Sequence, residues 1–239
     1  MTARLLLIED DASIARFVEL ALEELPGHAP ALPRIEFNVV RTLAGARQAL
    51  QPGGWHLVIS DLMLPDGSAE TLLTEGFAEA DGAPRWVVFS AGLQENRRAA
   101  LAARGVARTL RKPVGLIELL DTVAELLGQT PSLPPPPAAD DPVQRHFGGD
   151  RALFESFRAG CISRFSDDLA QGDAAYSGGD AATLRRVAHG LKAVLELIGH
   201  PDLAARARAI EDAGAQGHVD PGWPALAQGL SQLGAQRRR

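Results

Sequence analysis

The sequence predicts a doubly wound parallel α/β domain followed by a separate all-α helical bundle. Three observations predict it. Short apolar runs bounded by turn or polar residues recur at Leu5 to Ile8, Ile35 to Val40, Leu57 to Asp61, Trp86 to Ser90 and Ala107 to Leu110, the pattern of buried strands. Helical segments alternate with these runs, which requires right-handed crossovers and a parallel sheet. After the run Pro131-Ser132-Leu133-Pro134-Pro135-Pro136-Pro137 no strand pattern returns. The predicted boundaries are a first domain at 1–128, a proline-rich linker at 129–141 and a helical bundle at 142–239.

In the first domain, Ile14, Phe17, Val18, Ala21, Leu22 and Leu25 space a helix that Pro26-Gly27 is expected to stop. A helix from Leu43 to Leu50 closes on Pro52-Gly53-Gly54. Helices are expected from about Ser68 to Ala80, from Glu95 to Arg104 and from Leu116 to Leu127. In the second domain, Leu153, Phe154, Phe157, Cys161, Phe165, Leu169 and Tyr176 recur at three- and four-residue steps along one long helix. Ser177-Gly178-Gly179 reads as a turn and Asp180 as the N-cap of a helix to about Ile198. Helices from Leu203 to Ala213 and Pro221 to Gln236 complete an antiparallel bundle of four.

Composition narrows the function. A hydrophobic content of 46% suits a folded core, and a net charge of −6 argues against a nucleic-acid binder driven by bulk positive charge. Arg237-Arg238-Arg239 is the only basic cluster and reads as a solvated end. The single cysteine, Cys161, forms no internal disulfide, and no apolar run nears the ~18 residues of a membrane span. Met1 leads directly into the first strand, so no signal peptide is expected. A cytoplasmic protein without membrane contact is the expectation.

The chemistry centres on Asp61, carried to the tip of an apolar strand and followed by the turn-forming Pro65-Asp66-Gly67. The first, third, fourth and fifth strands bring Glu9 and Asp10, Asp61, Ser90 and Lys112 to one sheet edge. Clustered carboxylates suit a hard cation such as Mg²⁺. Asp10 and Asp61 would ligate it directly and Glu9 through water, with the backbone carbonyl of Met63 in the shell. Asp61 would then attack phosphorus, while Lys112 and the Ser90 hydroxyl hold phosphoryl oxygens.

In the second domain, Leu184, Val187, Leu191, Leu195 and Ile198 share one helix face. His189 lies roughly 170° away from that face, so its imidazole is expected to be exposed. With a reference pKa near 6.5 such a ring is largely neutral near pH 7 and able to attack phosphorus. Lys192, one turn on, would neutralise phosphoryl oxygens. Gly190 and Ala193 would keep the adjoining surface low, and Arg185 and Arg186 would favour docking on an acid-lined pocket.

The segments Leu6-Leu7-Ile8-Glu9-Asp10-Asp11, Asp61 to Gly67, Val87-Val88-Phe89-Ser90-Ala91 and Lys112-Pro113 together resemble a response-regulator receiver domain. The resemblance implies a flavodoxin-like (βα)5 fold, Mg²⁺-dependent phosphorylation at Asp61, slow self-dephosphorylation and a cis peptide before Pro113. Receivers usually carry Tyr or Phe where Thr109 stands, which puts the usual output surface in question. His189-Gly190-Leu191-Lys192, Leu197-Ile198-Gly199 and the Phe147-Gly148-Gly149-Asp150-Arg151 entry into a long helix resemble the histidine-phosphotransfer (HPt) domain. Ala193 stands where the family usually has Gly. That resemblance implies phosphorylation at His189, support from Lys192 and no metal of its own.

The expected function is therefore that of a two-component phosphorelay protein, passing phosphoryl groups between a sensor histidine kinase and other response-regulator receivers. It is not expected to be an enzyme in the usual sense, because no Gly-rich ATP-binding boxes stand in the sequence. The alternative is a phosphorylation-gated binding module whose bundle docks on or inhibits a kinase without carrying phosphate. A hydrolase using Asp61 is a third option, disfavoured because Met63 stands where such phosphatases want a second acid. The semi-rigid proline run predicts slow transfer between Asp61 and His189 of one molecule. The direction of flow and the oligomeric state stay open.

Overall fold

The structure, a computed structural model, describes residues 2–79, 82–90, 94–128 and 141–236. The proline-rich run on which the slow-transfer expectation rests, Ala91 and the Arg237-Arg238-Arg239 cluster lie outside the described residues. The chain divides into two compact units, Met1–Pro137 and Ala138–Arg239.

The first unit runs β1 (Thr2–Ile8), α1 (Ala12–His28), β2 (Arg34–Val40), α2 (Leu43–Leu50), β3 (Leu57–Asp61), β4 (Met63–Leu64), β5 (Gly67–Ser68), α3 (Glu70–Thr74), β6 (Arg85–Ser90), α4 (Glu95–Ala102), β7 (Val106–Arg111) and α5 (Leu116–Leu126). Five strands form one parallel sheet in the order β2-β1-β3-β6-β7. Every residue of β3 is buried, as a central strand covered on both faces must be. The edge strand β2 instead alternates in exposure over most of its length. Register aligns the strand ends. Ile8 faces Ser60, Asp61 faces Phe89 and Ser90 faces Arg111, so Glu9, Asp61, Ser90 and Lys112 emerge along one edge.

Two helices depart from expectation. Helix α1 passes through Pro26 to His28 instead of stopping there. The missing amide forfeits one bond, but buried Leu22 and Leu25 anchor the last turns. The Ala29 amide still donates to the Leu25 carbonyl, and His28 Nε2 lies 2.7 Å from Asp121 Oδ1 of α5. The helix expected from Ser68 to Ala80 is only α3, Glu70–Thr74. Gly67 and Ser68 are used in the small antiparallel hairpin with Met63 and Leu64, and Gly76 turns away at a φ of 85°.

The second unit has no strand among its described residues. It runs α6 (Pro142–Phe147), α7 (Arg151–Gly178), α8 (Ala181–Leu197), α9 (Pro201–Ala215) and α10 (Trp223–Gln236). Four long helices form the bundle, and the short α6 is an element the periodicity did not predict. Asp150 caps α7 through the Leu153 amide at 2.9 Å, and Asp180 caps α8 through the Thr183 amide at 2.9 Å. The Ser177-Gly178-Gly179 turn reduces to one residue, Gly179, left-handed at a φ of 70°, because α7 continues to Gly178. Leu184, Val187, Leu191, Leu195 and Ile198 are all buried, confirming the predicted apolar face of α8.

Trp223 is a central packing piece of the bundle. It is 1% exposed, and its Nε1 donates to Asp173 Oδ1 at 2.8 Å. Its ring lies on α7 at Gly172, where an added Cβ would stand 1.9 Å from Trp223 Cζ2. Gly160 on the same helix has nothing within 4 Å of that position. Gly to Ala ordinarily stabilises a helix interior by ~0.5–1 kcal/mol. Gly160→Ala is expected to show this gain in chemical denaturation. Gly172→Ala is expected to reverse the sign and lose about 1–3 kcal/mol through overpacking.

Candidate functional site

In the first unit the site is built where β1, β3 and β7 end. Lys112 Nζ donates to Asp61 Oδ2 and to Glu9 Oε2, each at 2.7 Å. All three are buried, with Glu9 at 1%, Asp61 at 3% and Lys112 at 8% exposure. Lys112 reaches this position because its amide extends the β6–β7 ladder to the Ser90 carbonyl at 2.7 Å, and the following peptide to Pro113 is cis. Asp10 is half-buried beside them. Glu9, Asp10 and Asp61 each offer one carboxylate oxygen, all within 4.8 Å of one another. The Met63 amide donates to Asp61 Oδ1 at 3.3 Å, placing the start of the hairpin against the acid. Ser90 ends β6, half-buried at the same edge.

The electrostatics follow from a charge count. One ammonium faces three carboxylates. Burial works against the Lys112 charge, but Asp61 and Glu9 overcome it and hold Lys112 above the ordinary lysine range. The least solvated acid is the one least able to carry the surplus negative charge. Burial, opposed by Lys112 and reinforced by Asp61, raises Glu9 to about 8. Burial, then Asp61 and Asp11, raise Asp10 as well. Three hard oxygen donors with excess negative charge fit a divalent cation of the Mg²⁺ class.

In the second unit, His189 is not the exposed ring that the helical arithmetic predicts. Its side chain is 19% exposed, and Nδ1 lies 2.6 Å from Glu211 Oε1. Lys192 Nζ donates to the other oxygen of the same carboxylate, Glu211 Oε2. Lys192 is 7% exposed and Ala193 only 3%. The reason is α9, which packs along α8 on the side that carries Arg185, His189 and Lys192. Gly214 of α9 comes so close that an added Cβ would stand 2.6 Å from Arg185 Cβ. Ala193 is thus a packing residue and no part of an open surface, whereas Gly190 is half-buried.

Glu211 is the residue that sequence reasoning missed. A signal was present. Ala204, Ala207, Glu211 and Gly214 recur at helical spacing, so the acid lies in line with buried alanines at 5% and 0% exposure. An acid on a stripe of small residues implies a partner on the neighbouring helix. Burial acts to raise Glu211, but hydrogen bonds from His189 and Lys192 outweigh it and bring it down to about 2. Glu211 is therefore ionised near neutral pH and can only accept hydrogen bonds. At 2.6 Å it accepts from Nδ1–H, so in the neutral ring the lone pair stands on Nε2.

The structure thus brings Glu9, Asp10, Asp61 and Lys112 into one cluster, with Ser90 on the same edge, and joins His189 to Lys192 through Glu211. Thr109 is half-buried in β7 opposite Val88.

Comparison with known proteins agrees with this division. Residues 157–236 match the family model for the Hpt domain. No curated protein matches the chain. Similar solved structures include a signal receiver domain from Vibrio parahaemolyticus, 26% identical, covering 53% of this chain and 91% of that one with a TM-score of 0.45. The non-phosphorylated HemR receiver domain from Leptospira biflexa is 24% identical, covering 55% of this chain and 99% of that one with a TM-score of 0.45. The receiver domain of the Francisella response regulator 1452 is 22% identical, covering 52% of this chain and 96% of that one with a TM-score of 0.45. The chain therefore carries a five-stranded parallel α/β unit followed by a helical unit in which residues 157–236 match the Hpt domain.

Proposed function

We propose that Asp61 and His189 are the two phosphoacceptors of a phosphorelay protein, exchanging phosphoryl groups with a sensor histidine kinase or with other receivers. The observation that carries this reading is the placement of Asp61 at a strand tip, 2.7 Å from Lys112 Nζ and grouped with Glu9 and Asp10. A carboxylate oxygen of Asp61 attacks phosphorus in line. The P–N bond of a donor phosphohistidine breaks, its electron pair stays on the donor imidazole, and an acyl phosphate forms. Glu9, Asp10 and Asp61, with the Met63 carbonyl, are the residues that would hold Mg²⁺, which when bound offsets phosphate charge. Lys112 and Ser90 hold the phosphoryl oxygens as charge spreads over them. In the reverse sense, His189 Nε2 attacks the phosphorus of a partner's acyl phosphate, the P–O bond breaks with its electron pair returning to the partner's carboxylate, and Glu211 stabilises the ring as it becomes cationic while Lys192 offsets phosphoryl charge.

The reading in which the bundle is only a docking or inhibitory module makes a different prediction for label chemistry. Incubation with a panel of phosphorylated kinases and receivers, followed by mapping, is expected to show base-labile label lost in Asp61→Asn. Acid-labile, base-stable label is expected in the second unit, lost in His189→Gln. No label on the second unit with any donor would sink the relay reading and favour gating.

Glu211 gives a further prediction. Its folded pKa is depressed from 4.5 to about 2, so its stabilising contribution is full above pH 4.5 and disappears as pH falls toward 2. The linked stability is on the order of 2–3 kcal/mol. Acid unfolding of the second unit is expected to lose this component in Glu211→Gln. The same variant is expected to slow transfer to His189 about tenfold or more, since an amide no longer enforces the Nδ1–H tautomer.

A further inference from the structure

The loop from Glu9 to Asp11 joins β1 to α1 and carries two of the three clustered acids. Its ends are tied down. The Glu9 amide continues the sheet by donating to the Val40 carbonyl at 3.0 Å. Asp11 caps α1, accepting from the Ser13 amide at 2.7 Å and the Ile14 amide at 3.0 Å. Between these anchors stands Asp10, whose carbonyl accepts from Arg41 Nη1 at 3.0 Å. Arg41 follows β2 directly. The edge strand therefore grips the acid loop twice, through the main chain at Val40 and through a guanidinium at Arg41.

We infer that Arg41 is a positioning residue for the divalent-cation site, holding the Asp10 main chain so that its carboxylate stays with those of Glu9 and Asp61. The inference rests on the metal reading given above. Three carboxylates crowded within 4.8 Å repel one another, and Asp10, half-buried in the middle of a three-residue loop, is the member with room to swing outward. A charge-assisted bond to its carbonyl opposes that motion. Arg41 is itself exposed, so solvent and salt screen its charge, and its effect is through geometry. Mg²⁺ demands near-octahedral oxygens, so small displacements of a ligand matter. Residues that orient metal ligands typically change affinity 10–100-fold when removed.

The test is Mg²⁺ titration of the full chain by calorimetry, alongside thermal melting without metal. Arg41→Ala is expected to weaken Mg²⁺ binding about tenfold with an unchanged melting temperature, and Arg41→Lys, which keeps one donor, to fall between it and wild type. Arg85→Ala is the control. It removes an exposed arginine from the start of β6, at the opposite end of the strands, and is expected to bind Mg²⁺ like wild type. Equal affinities for Arg41→Ala and wild type, or equal losses in Arg41→Ala and Arg85→Ala, would overturn the positioning role while leaving the metal site standing. Wild type that takes up no Mg²⁺ would overturn the metal reading and this inference with it.

Discussion

The ammonium of Lys112 is held between Asp61 and Glu9 at 2.7 Å from each, in a pocket that excludes most solvent. Leaving any one of these charges buried without the others would cost about 3–5 kcal/mol. The parallel sheet supplies what this arrangement needs. Strands β1, β3 and β7 stop at the same level, so groups separated by 51 and 103 positions meet without distorting the backbone. The cluster still carries more negative than positive charge. That imbalance favours a cation, and Glu9, the most buried of the three acids, is raised by its burial.

The second unit solves a related problem with fewer charges. One carboxylate, Glu211, accepts from His189 and from Lys192 on the neighbouring helix. The small residues of α9 allow this. Ala204, Ala207 and Gly214 bring the two helix backbones close enough for a short acid to reach both donors. The bridge orients the ring and selects its tautomer, yet leaves the side chain 19% exposed. Asp61 and His189 are thus held in opposite ways. The aspartate is buried and held by a cation, whereas the histidine is half-buried and held by an anion.

Much of the first unit was legible because a parallel sheet writes itself as apolar runs with polar residues at their ends. Asp61, Glu9, Asp10 and Lys112 could be read as one site because each follows such a run. The helix ends were less legible. Pro26 is a breaker by local rules, but buried leucines and the contact between His28 and Asp121 carry α1 past it. The Ser68 region reads as the start of a helix, but pairing with Met63 and Leu64 uses its backbone in a hairpin. These outcomes depend on neighbours distant in sequence.

The sequence by itself determined the alternation of strands and helices, the identity of the residues at the strand tips and the apolar face of α8. Periodicity and turn chemistry are local, so local order suffices to read them. Only the tertiary structure decided that His189 is half-buried, that Ala193 is a packing residue, that Glu211 joins His189 to Lys192 and that Arg41 grips the Asp10 loop. A helical wheel locates one buried face but cannot report a helix lying against the side that carries His189 and Lys192. Hydrogen bonds between elements, likewise, exist only once those elements are packed.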